Sequence, residues 1–187
     1  MCKVFQFYLK ILLKCGIAIL FCIHFSNAES LKEIESFSAD FTQILYSSEA
    51  NAQNQIVYKG KLQALAPSSL RWSYITPIPK EIFIEENTMI IYEPKLKQAI
   101  FTQLQENLNL LYLLKNAKKI TKNYYEAVIL EQKYNVFLEN GIPKQIIFND
   151  TLGNKVEILF HNAKINITID SSIFDFNPKS EIDVIYN

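Results

Sequence analysis

The sequence predicts an α+β domain in which about ten antiparallel strands form a barrel-like sheet, accompanied by one interior helix and one short leading helix. Three observations carry this. Strand-length apolar segments recur between Pro, Gly and Asn turn signals along most of the chain. A single leucine-rich segment keeps a three- and four-residue period. Cysteine is confined to Cys2, Cys15 and Cys22, so beyond them stability must come from an apolar core rather than from disulfides.

The first residues bear on the compartment. Lys3, Lys10 and Lys14 open the chain without an acidic residue, an apolar run extends from Gly16 to Phe25, and Ser26-Asn27-Ala28 places small residues where a signal peptidase cuts. Residues 1–28 therefore read as a cleaved signal peptide and 29–187 as one domain. A transmembrane anchor is the alternative, but the apolar run is shorter than the roughly 20 residues a spanning helix needs. A lipoprotein signal is another, through Ile19-Leu20-Phe21-Cys22, although Phe21 stands where such signals carry a small residue.

In the mature part, Ser30-Leu31-Lys32-Glu33 fits a capping box, which starts the short leading helix. From Phe37, apolar and polar residues alternate toward Tyr46, as in a half-buried strand, and Ser47 to Gln55 reads as a loop. Strands are expected at Ile56 to Leu65, Leu70 to Ile75, Glu81 to Glu85, Thr88 to Tyr92 and Gln98 to Gln103, divided by prolines and by Glu86-Asn87. Leu104, Leu108, Leu111, Leu114 and Ala117 then predict an amphipathic helix from Glu106 to about Lys119, with lysines in its last turn. Strands resume at Ala127 to Glu131, Tyr134 to Glu139, Pro143 to Phe148, Val156 to Phe160 and Ile165 to Ile169, with turns at Asn140-Gly141, Asp150 to Gly153 and His161-Asn162.

Composition excludes several functions. Once Lys3, Lys10 and Lys14 are removed, 16 basic residues face 19 acidic ones, the wrong balance for a nucleic-acid backbone. The basic stretch Lys115 to Lys122 is a solvated helix face. His161 is the one histidine past the signal, so neither zinc coordination nor a nucleophile–base pair is supplied, and no cofactor is expected. Gly60, Gly141 and Gly153 form no phosphate loop. What remains is abundant aromatic and aliphatic surface. On the strand from Leu70 to Ile75, the two-residue period sends Leu70, Trp72 and Tyr74 to one face and Arg71, Ser73 and Ile75 to the other. Taken alone, such a stripe reads first as plain core and only second as the lining of a binding cavity.

Five short stretches in order resemble the periplasmic lipoprotein carrier family (LolA). They are Phe37-Ser38-Ala39-Asp40-Phe41-Thr42-Gln43; Gly60 and Leu62; Pro67, Leu70, Arg71-Trp72, Tyr74 and Pro77; Tyr92-Glu93-Pro94 with Gln98; and Phe174-Asp175-Phe176-Asn177-Pro178. The resemblance implies an incomplete, strongly curved antiparallel β-barrel with lid helices over a hydrophobic cavity. It further implies a monomeric, non-enzymatic periplasmic carrier that takes acylated lipoproteins from an inner-membrane ATP-driven transporter to an outer-membrane acceptor. By the same resemblance, Phe37, Phe41, Leu70, Trp72, Tyr74, Ile91, Leu108, Leu111 and Leu114 would line the acyl-chain cavity. Family members often carry an arginine that latches the lid just before the proline preceding the Trp strand; here that position is Ala66. Two alternatives stand beside the carrier: a membrane-attached acceptor with a similar barrel, which would require lipidation of Cys22, and a periplasmic hydrolase.

Overall fold

The computed structural model describes residues 31–47, 55–104 and 109–187; the expected signal peptide and Leu108 lie outside them. Twelve strands form one sheet: β1 Ser36–Tyr46, β2 Gln55–Leu65, β3 Ser69–Thr76, β4 Lys80–Glu85, β5 Thr88–Glu93, β6 Gln98–Gln103, β7 Lys118–Lys119, β8 Tyr124–Ile129, β9 Gln132–Glu139, β10 Ile142–Asn149, β11 Lys155–Ile165 and β12 Asp183–Tyr186. Their spatial order is β12-β6-β5-β4-β3-β2-β1-β11-β10-β9-β8-β7. β12 and β7 do not pair with one another, so the strongly curved sheet stays open. One α-helix, α1 at Leu110–Asn116, and 3-10 turns at Leu31–Glu33 and Ser171–Phe174 complete the described elements.

Alternation makes the sheet two-sided. From the concave face Phe37, Ala39 and Phe41 of β1, Leu62 and Ala64 of β2, and Leu70 and Ile84 of β3 and β4 enter the main core, met from the other half by Val136, Ile146, Ile158 and Phe160. Phe37 meets Phe160 edge to face at 5.0 Å. The convex face of β3 to β6 carries a second, smaller core. Phe176 packs against Phe83, Tyr92 and Phe101 with ring centroids 5.3 to 6.1 Å apart, and Phe174 is buried beside it. Arg71 belongs to this face. Its Nε donates to Glu81 at 2.9 Å, its guanidinium lies 5.2 Å above the Phe83 ring, and one terminal nitrogen donates to the Ile173 carbonyl.

Tight turns follow the chemistry of their residues. Asn140 and Gly141 both take positive φ in the two-residue β9–β10 connection, the conformation that favours Asn-Gly. Leu130 and Glu131 do the same between β8 and β9 without that chemistry.

The structure corrects four expectations. The helix is shorter than Glu106 to Lys119: the Asn109 side chain accepts from the Tyr112 amide to start it, and Ala117 is already extended. Lys118–Lys119, expected in its last turn, instead pairs with Tyr125 and Glu126 as β7. His161-Asn162 is not a turn. The strand expected at Val156 to Phe160 runs on through them as β11 to Ile165, with Asn162 at φ 52° in a bulge opposite Ser38 to Asp40, and the strand expected at Ile165 to Ile169 does not form beyond Ile165. Finally, the sheet is not wholly antiparallel, because β12 runs parallel to β6. After β11 the chain crosses the convex face through Phe174 and Phe176 and arrives at the β6 edge pointing the same way.

Gly60 sits beneath Phe41 at an irregularity in the β2–β3 register. A methyl group there would run into the Ser73 carbonyl and stand 2.8 Å from the Phe41 ring. Gly60→Ala is therefore expected to cost about 2 to 3 kcal/mol in urea unfolding, as overpacking does. A loss below about 0.5 kcal/mol would show that the backbone yields there without strain.

Candidate functional site

The concave face between β1 and β6 is where apolar side chains suited to a hydrocarbon ligand are concentrated. β1 supplies Phe41, β2 Tyr58, β3 Trp72 and Tyr74, and β4 to β6 the cross-strand row Ile82, Ile91 and Ile100. The aromatic rings are mutually ordered. Phe41 meets Trp72 at 5.4 Å and Tyr74 at 5.2 Å edge to face, Trp72 and Tyr74 are parallel at 5.8 Å, and Tyr58 meets Tyr74 edge to face at 5.7 Å. Such geometries add about 0.5 to 1.5 kcal/mol per pair beyond area burial.

Polar groups on this face include Gln43 and Lys80, whose Nζ lies 4.9 Å above the Tyr74 ring. The Tyr74 hydroxyl donates to Gln43 Oε1 at 2.9 Å. Burial, reinforced by the neighbouring Tyr58 phenol, pushes the Tyr74 hydroxyl well above the usual tyrosine value, as expected where the charged form would be desolvated. Trp72 Nε1 is buried without a hydrogen-bond partner.

The residues singled out from sequence separate into two groups. Phe37, Phe41, Leu70, Leu111 and Leu114 are buried in the closed core. Trp72, Tyr74 and Ile91 are only half-buried and border the open part of the concavity. Leu70 faces Ala64 and Ile84, so a charge at this position threatens the fold itself. Sequence reasoning did not single out Tyr58, Ile82 or Ile100. Alternation along their strands marks them equally well, but their strands carried no aromatic stripe to draw the eye.

α1 closes one end. Leu110, Leu111, Leu113 and Leu114 are all buried, against the leading 3-10 turn, β8 and β2. With seven residues it is too short to persist by helix propensity, so packing holds it in place. The link at the helix is Lys115 Nζ to Glu35 Oε1 at 3.2 Å, an exposed pair worth at most about 1 kcal/mol. Ala66 donates its backbone amide to the Glu35 carbonyl at 2.8 Å and packs its methyl against the core.

Two surface cavities, of about 410 and 440 Å3, lie on the convex side. The first is lined by Ser38, Asp40, Lys61, Gln63 and Lys164, among others, and the second by Glu85, Glu86, Phe174 and Phe176. Both are polar and mixed in character, unlike the aromatic face. Among the described residues no group of His, Cys, Asp and Glu is placed to hold a metal ion, and no helix is long and apolar enough to cross a membrane.

Comparison with known proteins points the same way. Residues 32–138 match the family model described as outer membrane lipoprotein carrier protein LolA. A protein of Wolinella succinogenes named outer-membrane lipoprotein carrier protein is 37% identical over 157 residues, covering 83% of this chain and 90% of that protein. One of the same name from Helicobacter pylori strain J99 is 37% identical over 158 residues, covering 84% and 83%. Among solved structures, an uncharacterized conserved protein from Thermus thermophilus superposes with a TM-score of 0.52 at 12% identity, covering 86% of this chain and 95% of that one; the likeness is one of fold.

The Tyr74 hydroxyl yields a pH prediction. Because its folded value is raised above the unfolded value near 10, its contribution is complete below pH 10 and is lost as pH climbs beyond it. Tyr74→Phe should cost about 1 kcal/mol at pH 7 through the lost bond to Gln43. That deficit should shrink between pH 9 and about 11. A deficit that stays constant across this range in chemical unfolding would mean that the phenol is as well solvated folded as unfolded.

Proposed function

The chain belongs to the LolA family of outer membrane lipoprotein carrier proteins, and from that premise we propose that it binds the acyl chains of lipoproteins and carries them across the periplasm. The observation that supports this reading most directly is the concave aromatic and aliphatic face, with Trp72, Tyr74 and Ile91 half-buried beside a closed core. In this reading residues 1–28 export the chain, 29–187 act as a single monomeric carrier domain, an inner-membrane ATP-driven transporter loads it, and an outer-membrane acceptor unloads it. Its work is binding and release, with no bond made or broken.

Energetics say why such a carrier should fill its own concavity. One acyl chain of roughly 14 methylenes gains about 11 kcal/mol on leaving water, and three chains gain more than about 30. Non-covalent affinity saturates near 18 to 21 kcal/mol, and cargo held that tightly would not be released. Contacts that cargo must first displace lower the net affinity. Phe41, Trp72 and Tyr74 supply them in the sheet, and the four leucines of α1 supply them at its closed end. On this reading Phe41, Leu111 and Leu114 line the cavity once it opens, and Phe37 and Leu70 form its floor.

Loading tests the reading. The exported protein, incubated with inner-membrane vesicles bearing a radio-palmitoylated lipoprotein, should carry that lipoprotein into the soluble fraction, and should leave its unacylated form unbound. Ile91→Glu sets a charge in the cavity and should reduce loading at least about tenfold. Ile91→Gln, which keeps the fold without a charge, should fall between. Equal recovery of acylated and unacylated protein would sink the proposal.

Opening of α1 is tested by hydrogen exchange. A seven-residue helix held by packing should open below the cost of global unfolding, so the amides of Leu113 and Leu114 ought to exchange faster than those of Trp72 to Tyr74 in β3. Added acylated cargo should change the helix and leave β3 unaltered. Uniform protection of both, indifferent to cargo, would make α1 a fixed part of the core.

A further inference from the structure

Strand register places the turns after β3, β5, β8 and β10 at one end of the sheet, together with the end of β1 and the start of β2. The opposite end holds residues 66–68, 86–87 and 140–141, and is covered by α1 and the leading 3-10 turn. The two ends differ in one respect. At the first, each of the four turns carries an aliphatic side chain out into solvent: Ile78 at 61% exposure, Leu96 at 66%, Leu130 at 57% and Leu152 at 78%. Ile75 and Ile56 lie exposed beside them. The turns 66–68, 86–87 and 140–141 carry Ala-Pro-Ser, Glu-Asn and Asn-Gly; among the described residues of that end, Ile120 is an exposed aliphatic.

Backbone features hold these tips outward. Ile78 stands between Pro77 and Pro79, whose rings fix φ. Leu96 lies in a turn closed by amide bonds from Leu96 and Lys97 to Glu93 and Pro94. Leu152 rides a loop in which Asp150 accepts from the amides of Leu152 and Asn154. A solvent-exposed aliphatic on one turn is ordinary, whereas one on each of four turns around a single rim is a surface.

We propose that this rim docks on a phospholipid bilayer, with the four tips entering the headgroup layer and the concave face opening toward it. The tips are separate points around an open sheet, which a fluid plane meets simultaneously; a folded partner would call for one contiguous patch with aromatic anchors. Lys95 and Lys97 flank Leu96, and Lys80 follows Ile78 with its ammonium over the Tyr74 ring; these suit anionic headgroups, while Glu93, Glu131, Asp150 and Asp183 stand at the same end and keep the attraction moderate. The choice of a bilayer over a protein rests on the carrier reading, since a carrier loaded and unloaded by membrane-bound partners works against a lipid surface at both ends of its path.

The test uses cargo-free exported protein and sedimentation with vesicles, so it can fail while lipoprotein loading succeeds. Wild type should cosediment with vesicles of phosphatidylcholine, and more so with phosphatidylethanolamine containing phosphatidylglycerol. Ile78→Ser with Leu96→Ser should weaken both about tenfold. Lys95→Gln with Lys97→Gln should weaken only the anionic case. Ile120→Ser, at the other end, should bind as wild type does. All replaced side chains are exposed, and circular dichroism should be unchanged. Wild type left in the supernatant, or a serine pair that binds undiminished, overturns the proposal. So does self-association of the free protein that the serine pair abolishes, since the rim would then face a second copy.

Discussion

A ring on one strand reaches rings two strands away only if the strand between them offers no side chain at that point. Phe41 on β1 does this, meeting Trp72 and Tyr74 of β3 across Gly60 of β2. Neighbouring strands lie about 4.8 Å apart, so in a flat sheet with a side chain at position 60 these rings would stay well separated. Here the missing Cβ and the register irregularity beside it let the sheet fold inward on its aromatic face. Concavity, the half-buried state of Trp72 and Tyr74, and the room left for α1 at one end all depend on that contact.

The same sheet keeps its two faces chemically separate. The main core on the concave side and the Phe83–Phe174–Phe176 cluster on the convex side share the strands β3 to β6 and no side chains. Arg71 and Glu81 tie the outer cluster to the backbone carbonyl of Ile173, so the C-terminal segment splints these strands from outside. A face that, on the proposed reading, exchanges its own packing for a ligand benefits from a backbone stiffened elsewhere. β12 adds four ladder positions along β6, covering an edge that would otherwise invite pairing with another chain, and the opposite edge is the short, exposed Lys118–Lys119.

Much of this was legible in the sequence, and the reason is periodicity. The two-residue alternation of Leu70, Trp72 and Tyr74 against Arg71 and Ser73 needs no long-range information, and the faces came out as alternation required. Asn140-Gly141 has a local signature and formed a tight turn. Where local chemistry serves two structures, the reading slipped. Asn162 tolerates positive φ in a turn and in a bulge alike, and Lys118–Lys119 suits a helix end as well as an exposed edge strand. β12 was hidden because four residues become a strand only against β6, far earlier in the chain. The rim of turn tips was invisible for a related reason. Ile78, Leu96, Leu130 and Leu152 are unremarkable one at a time, and only the strand register gathers them.

Trp72 is the sole tryptophan of the chain, and it stands on the concave face in parallel contact with Tyr74, its indole N–H unpartnered. The molecule thus contains its own optical reporter at the place where the proposed reading has packing change. Excited-state indole is sensitive to the polarity around it, and a donor without a partner leaves emission governed by the neighbouring rings. Replacement of those rings by acyl chains, by water or by an ester carbonyl would each leave a different colour of fluorescence, readable without a label and without altering a residue.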